Sequence, residues 1–286
     1  MNKILCPVDF SDASLNAVEF ATRIAEQHKA TLTLIHVFTE QEFGEALSKG
    51  AFQARYKQSD IDNLLGAAEE MLKSMADEIY RISKSRGMQA CDYHFTYGPL
   101  ERQITQFANE HHYKLIVMGT TGVVDVMEKY IGSNTVRTIS RAHCPVMCVP
   151  TAAAYRKIKK IAFASDYQEE DKNVLNELVS FAMVTEAEIH VVHVAQQDND
   201  MEEAMYREFE DTTRTYLDYP LLKFSVEYNP DPSHGLDSYV LREKCDLLAV
   251  LYQRKNFFQK LLDESTTKDI TYFASYPVMV FKEVDV

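Results

Sequence analysis

Short apolar runs alternate with amphipathic stretches from the first residues onward. Residues 4–8, set between Lys3 and Asp9, are uniformly apolar at a length that suits a strand buried on both faces. Ser11-Asp12-Ala13-Ser14 follows as a helix-start cluster. Leu15, Val18, Phe20, Ala21, Ile24 and Ala25 then recur at helical spacing. Residues 31–37 read as a second strand. Residues 59–86 read as a long helix whose stripe includes Ile61, Leu65, Leu72, Met75, Ile79 and Ile82, with Gly87 as its C-cap. The pattern continues as strand 90–96, helix 100–111, strand 115–118, helix 133–142 and strand 146–149. Strands alternating with helices imply right-handed crossovers and a parallel sheet. The expected unit is a five-stranded, doubly wound α/β layer.

The same pattern then recurs. Lys3-Ile4-Leu5-Cys6-Pro7-Val8-Asp9-Phe10 aligns with Lys160-Ile161-Ala162-Phe163-Ala164-Ser165-Asp166-Tyr167, and Leu34-Ile35-His36-Val37 with Val191-Val192-His193-Val194, both at an offset of 157. Lys114-Leu115-Ile116-Val117-Met118 aligns with Asp246-Leu247-Leu248-Ala249-Val250, and Cys144-Pro145-Val146 with Tyr276-Pro277-Val278, at an offset of 132. The first copy therefore carries about 25 extra residues between its second and third strands. Two tandem domains are expected, 1–150 and 156–286, joined by Pro150-Thr151-Ala152-Ala153-Ala154-Tyr155. Residues 39–58 are polar, carry Gly44 and Gly50, and read as a surface excursion within the insertion.

Chemistry concentrates behind the fourth strand of the first copy. Gly119-Thr120-Thr121-Gly122 is followed, after nine residues, by Gly132-Ser133-Asn134. Gly119 falls at the C-terminal edge of the sheet, where open α/β sheets take ligands. Gly132-Ser133-Asn134 opens a helix whose free N–H groups and dipole suit an anion. Asp9 ends the first strand at the same edge, where a carboxylate accepts from ribose hydroxyls.

These residues, together with Cys144-Pro145-Val146 opening the last strand, resemble the universal stress protein family in its tandem-domain form, over nearly the whole chain. The resemblance implies an adenine nucleotide alpha hydrolase-like sheet of order 3-2-1-4-5. It implies ATP, with or without Mg²⁺, as ligand of the first domain. Asp9 and Val37 would lie near adenine and ribose, and Gly119, Gly122, Gly132, Ser133 and Asn134 around the phosphates. It also implies pairing of domains through their last strands, here within one chain, a possible homodimer, and a stress-response role. The second copy departs from the motif. Leu251 stands for Gly119, Arg254 for Gly122 and Glu264 for Gly132, while Asp166 and Ser265 still match Asp9 and Ser133. Bulk and negative charge there predict no ATP binding in this manner. Arg254, Lys255 and Lys260 read as a solvated basic loop.

Charge narrows the partners. The net charge is −13, of which the first 153 residues carry only −3. An acidic surface disfavours nucleic acid and anionic membranes. No apolar stretch approaches a membrane span, and the N-terminus breaks its apolar run too early for a signal peptide. Five scattered cysteines give no disulfide framework, which points to a reducing cytoplasm. Cys144 and Cys148 read as two positions on one strand face, too far apart for one bond or one metal. There is no G-x4-G-K-[ST] loop, kinase signature set or G-x-S-x-G elbow, and no Cys/His cluster for a metal. A nucleotide-binding regulatory module is the expected function, with no catalytic residue nominated. A slow ATPase or phosphotransferase and a ligand-free interaction scaffold remain the alternatives.

Overall fold

The structure, a computed structural model, describes residues 1–39, 58–120, 133–197, 199–252 and 275–282. In the first half the elements are β1 (Lys3–Pro7), α1 (Asp12–His28), β2 (Thr31–Phe38), α2 (Gln58–Ser83), β3 (Ala90–Tyr97), α3 (Leu100–Glu110), β4 (Leu115–Thr120), α4 (Ser133–Arg141) and β5 (Val146–Pro150). The second half repeats the order as β6 (Lys160–Ala164), α5 (Glu169–Thr185), β7 (Glu188–Ala195), α6 (Asp200–Tyr216), β8 (Leu222–Tyr228), α7 (Pro232–Glu243), β9 (Leu247–Tyr252) and β10 (Val278–Lys282).

Ten strands form one sheet in the order β3-β2-β1-β4-β5-β10-β9-β6-β7-β8. Each half is parallel and follows 3-2-1-4-5, so the order reverses at β1 and again at β6. The halves meet through antiparallel β5 and β10, with Met147 opposite Met279, Val146 opposite Val280 and Cys148 opposite Val278. Met147 pairs with its own 132-offset counterpart Met279 and the flanking pairs exchange about it, a local twofold built into one chain.

The inner strands are buried on both faces, as their apolar runs require, while the edge strands β3 and β8 are more polar and partly exposed. One apolar layer packs under α1, α2, α5 and α6 and spans both halves. The other lies under α3, α4 and α7. The helix ends are set locally. Ser11 caps α1 by accepting the Ser14 N–H at 3.2 Å. A left-handed residue ends α1 at Lys29 (φ 51°) and α5 at the equivalent Glu186 (φ 54°). Gly87 takes φ 111° after a short 3-10 turn, where an added Cβ would lie 2.9 Å from the Glu26 carbonyl.

Three local expectations need correction. The long helix gives way to 3-10 geometry at Lys84–Arg86. β4 runs on to Thr120, so Gly119 lies inside the strand, paired with Val149. Cys144 precedes β5 and only Cys148 belongs to it, so the two share no strand face. The excursion expected over residues 39–58 falls almost wholly outside the described residues.

Candidate functional site

The C-terminal ends of β1, β2 and β4 and the first turn of α4 enclose a pocket of about 320 Å³. It sits where the strand order reverses, the crevice that open α/β sheets use for ligands. Asp9, Val37, Gly119 and Asn134 all line it. Ser133 is the first residue of α4. Gly122 and Gly132 lie outside the described residues. Ser11, Thr39, Leu100, Thr120 and Thr135 also line the pocket and were not nominated from sequence. Ser11 and Thr120 each stand within two residues of a nominated position. Leu100 has no such marker.

Asp9 is held by a compact set of hydrogen bonds. Its Oδ1 accepts from the Ser11 amide at 3.0 Å and the Ser11 hydroxyl at 2.5 Å. The Asp9 N–H donates to Ser14 Oγ at 3.3 Å, and that hydroxyl donates to the Ser11 carbonyl at 3.0 Å. Burial pushes the Asp9 carboxyl up, but the Ser11 and Ser14 hydrogen bonds outweigh it and hold it below the ordinary carboxylate range. Asp9 is therefore an acceptor-only anion at neutral pH, suited to hydroxyl donors.

The chain leaves β1 through a left-handed residue, Phe10 (φ 63°), and leaves β6 through its counterpart Tyr167 (φ 60°). An aromatic residue there costs roughly 1–2 kcal/mol. Stacking against a histidine offsets that cost. Phe10 lies 5.2 Å from the buried His36 ring, and Tyr167 lies 4.3 Å from His193. The His36 Nδ1–H donates to the Val8 carbonyl at 2.6 Å, and the His193 Nδ1–H donates to the Ser165 carbonyl at 2.8 Å. Both histidines thus fix the turn that presents the aspartate.

Gly119 does more than line the pocket. A Cβ on it would lie 2.2 Å from the Ala13 carbonyl oxygen and 2.7 Å from the Ser14 nitrogen. The glycine lets the first turn of α1 rest its backbone on β4. In the second half a buried leucine, Leu251, takes this position, and α5 barely touches β9.

A second change accompanies it. Asp171 replaces Ser14. Its Oδ2 accepts from the Ser165 hydroxyl at 2.7 Å and from the amides of Asp166 and Gln168 at 3.1 and 3.2 Å. Burial pushes Asp171 up to about 6, the Asp166 charge adds to this, and the hydrogen bonds oppose it. Burial raises Asp166 as well. The second half therefore gathers two carboxylates where the first has one.

No group of three or more His, Cys, Asp or Glu side chains is arranged to hold a metal among the described residues. All five cysteines are free, and burial pushes the Cys144 thiol up to about 12. No helix among the described residues is long and apolar enough to cross a membrane.

Comparison with known proteins bears on this site and on the fold. The universal stress protein family matches residues 1–150. A universal stress protein of Methanocaldococcus jannaschii is 31% identical over 148 residues, covering 51% of this chain and 81% of that protein. Universal stress protein YxiE of Bacillus subtilis is 25% identical over 148 residues, covering 52% of this chain and 98% of its own length. The crystal structure of a universal stress protein from Archaeoglobus fulgidus shares the fold across 99% of this chain and 97% of its own, with a TM-score of 0.72 at 17% identity. The family match covers the whole half that holds the pocket, and the shared fold extends through the other: the chain belongs to the universal stress protein family.

Proposed function

We propose that the first half binds ATP in the pocket between β1 and β4, and that the chain is a nucleotide-responsive regulatory module. The observation that carries this reading is the convergence at one sheet edge of a fixed carboxylate, Asp9, and the open first turn of α4. Asp9 supplies the acceptor for ribose hydroxyls, and Val37 an apolar wall for the base. The first-turn amides of α4, at Ser133 and Asn134, suit phosphate oxygens. Gly119, Gly122 and Gly132 allow the backbone its close approach to the phosphates. The pocket volume falls within the ~300–1,000 Å³ of small-molecule sites. Mg²⁺, where present, would neutralise the phosphates, and no side chain is assigned to it. The free thiols fit a cytoplasmic setting.

The second half is the internal contrast. Leu251 and Asp171 stand where the first half has a glycine and a serine, and in the sequence Glu264 corresponds to Gly132, a charge that would disfavour phosphate. Regulation then requires that ATP favour one of two states of the chain through the first half alone.

The test is to denature the purified protein and quantify released nucleotide per chain. One adenine nucleotide per chain is expected, lost in Gly132→Glu. Asp9→Ala should weaken ATP by about 10- to 100-fold, the worth of hydrogen bonds to a charged group. Two nucleotides per chain would overturn the contrast between the halves. No binding at millimolar ATP would overturn the proposal.

A further inference from the structure

The local twofold makes every feature of one half a template for the other, and one template is filled in the first half and open in the second. In the first half the segment after β5 crosses the outer face of α1. Asn16 Nδ2 donates to the carbonyls of Pro150 and Ala153 at 2.8 and 2.9 Å. Tyr155 meets Phe20 edge-on at 5.1 Å, and its hydroxyl accepts from Gln27 at 2.6 Å. Ala153 and Ile158 are buried beneath this segment, which has no regular secondary structure. Pro150–Ala153 form a turn closed by the Ala153 N–H donating to the Pro150 carbonyl at 3.0 Å, so Asn16 grips two carbonyls across a turn, and a turn followed by irregular backbone is the occupant that this face of the helix holds.

The matching face of α5 borders a groove of about 740 Å³, floored by Val174, Leu251 and Phe281 and walled by Cys144 and Pro145. Asn173, the counterpart of Asn16, lines it, is exposed, and has no hydrogen-bond partner among the described residues. Phe20 is replaced by Glu177, which also lines the groove and is exposed, and Ala13 by Glu170. Glu169 on the same rim is already engaged by Lys172 at 2.5 Å. Lys282 lines the strand end of the groove, and Lys114 lies near Glu177. The rim therefore carries three carboxylates against one lining lysine, and the carboxylate of Glu177 stands where the first half offers an aromatic ring.

We propose that the α5 groove docks a cationic, turn-forming peptide segment of a partner protein. Asn173 would take two of its carbonyls, as Asn16 does in the first half, and Glu177 would take a lysine or arginine at the position that Tyr155 fills there. The residues following β10 in sequence, Glu283, Val284, Asp285 and Val286, share the sign of the rim and are the wrong charge for this role.

The experiment uses the full chain and two labelled nonapeptides with the sequence of residues 150–158, one unchanged and one with Tyr155→Arg, read by fluorescence polarisation. The arginine peptide should bind saturably and at least about fivefold more tightly than the tyrosine peptide, an advantage that shrinks with salt. Asn173→Ala should weaken it about tenfold, the loss of two hydrogen bonds. Glu177→Phe, which installs the residue found on α1, should reverse the preference toward the tyrosine peptide. Thermal melts of both variants establish that they are folded, and Glu177→Gln supplies a milder substitution that removes only the charge. The proposal is overturned if neither peptide saturates at millimolar concentration, or if a scrambled peptide binds equally well. It is equally overturned if the two variants leave the preference unchanged, or if deleting residues 283–286 raises affinity tenfold, which would make the chain's own tail the occupant.

Discussion

His28 and Asp171 set opposite pH dependences on stability over the same acid range. His28 ends α1, is only 8% exposed, and lies with its ring 4.8 Å from Phe181 of α5. Neither ring nitrogen has a partner among the described residues. Burial, reinforced by the N-terminal ammonium, lowers its pKa from 6.5 to about 4. The folded chain keeps His28 neutral while the unfolded chain takes up a proton below 6.5. Its contribution is therefore intact above pH 6.5 and is lost as pH falls toward 4. At about 1.36 kcal/mol per unit the full loss is about 3 kcal/mol, and about 2.5 kcal/mol of it is spent by pH 4.5. Asp171 works the other way. Its folded pKa is raised to about 6 from 3.8, so the folded chain takes the proton first and gains stability as pH falls through 6. That gain is about 2 kcal/mol by pH 4.5. In the wild type the two nearly cancel. His28→Leu should leave only the gain, and Asp171→Asn only the loss, since an amide oxygen can still accept the three hydrogen bonds. Urea unfolding followed by circular dichroism at pH 7.0 and 4.5 should show the two variants diverging by about 4 kcal/mol. Apart from Asp166, whose charge is coupled to Asp171, the titrating groups are common to both and drop out of that difference. Parallel pH profiles for the two variants, within about 0.5 kcal/mol, would refute the assignment of neutral His28 and raised Asp171.

Three further outcomes are expected. Gly119→Ala forces a Cβ against the Ala13 carbonyl and should cost at least about 3 kcal/mol, together with the ATP site; an unshifted melting temperature would refute the close approach. Met147→Asp puts an unpaired charge in the buried β5–β10 seam opposite Met279 and should cost about 3 kcal/mol or more in urea unfolding, so a loss below about 1 kcal/mol would mean the seam is not closed. Burial pushes Cys91, Cys144, Cys148 and Cys245 up to about 12, so a thiol reagent at pH 8 should label the folded chain slowly and reach all five cysteines only on unfolding; a rapid stoichiometric burst would contradict this.

The order of strands and helices was legible because the inner strands here are short apolar runs and each helix an amphipathic stretch. Those two periods differ wherever a strand is buried on both faces. Strand ends were less legible. Gly119 and Thr120 continue the ladder against Val149 and Pro150 although neither belongs to an apolar run. Asp9, Gly119 and Asn134 line the pocket and were readable because ligands of open sheets gather at the C-terminal strand edge, whereas Val37 was marked only by the family resemblance. The left-handed turns at Phe10 and Tyr167 were not, since an aromatic residue gives no local sign of a positive φ and the stacking histidine lies 26 positions away in each half.

The second role of Gly119 was hidden for a related reason. Its constraint comes from Ala13, 106 positions earlier, and a glycine beside a ligand looks the same in sequence as a glycine beside a helix. Once both roles are recognised, the divergence of the second half becomes a coupled change. Leu251 is buried where Gly119 lets α1 rest on β4, and the backbone of α5 approaches β9 less closely than that of α1 approaches β4. The first turn of α5 then needs another anchor. Asp171 provides one by drawing the Ser165 hydroxyl and two amides onto a single oxygen. That anchor adds a second carboxylate beside Asp166, and the outer face of α5 carries Asn173, without a hydrogen-bond partner among the described residues, beside an acidic rim. The proposed loss of nucleotide binding and the proposed peptide groove would then share one structural origin, the replacement of a glycine by a buried leucine at position 251.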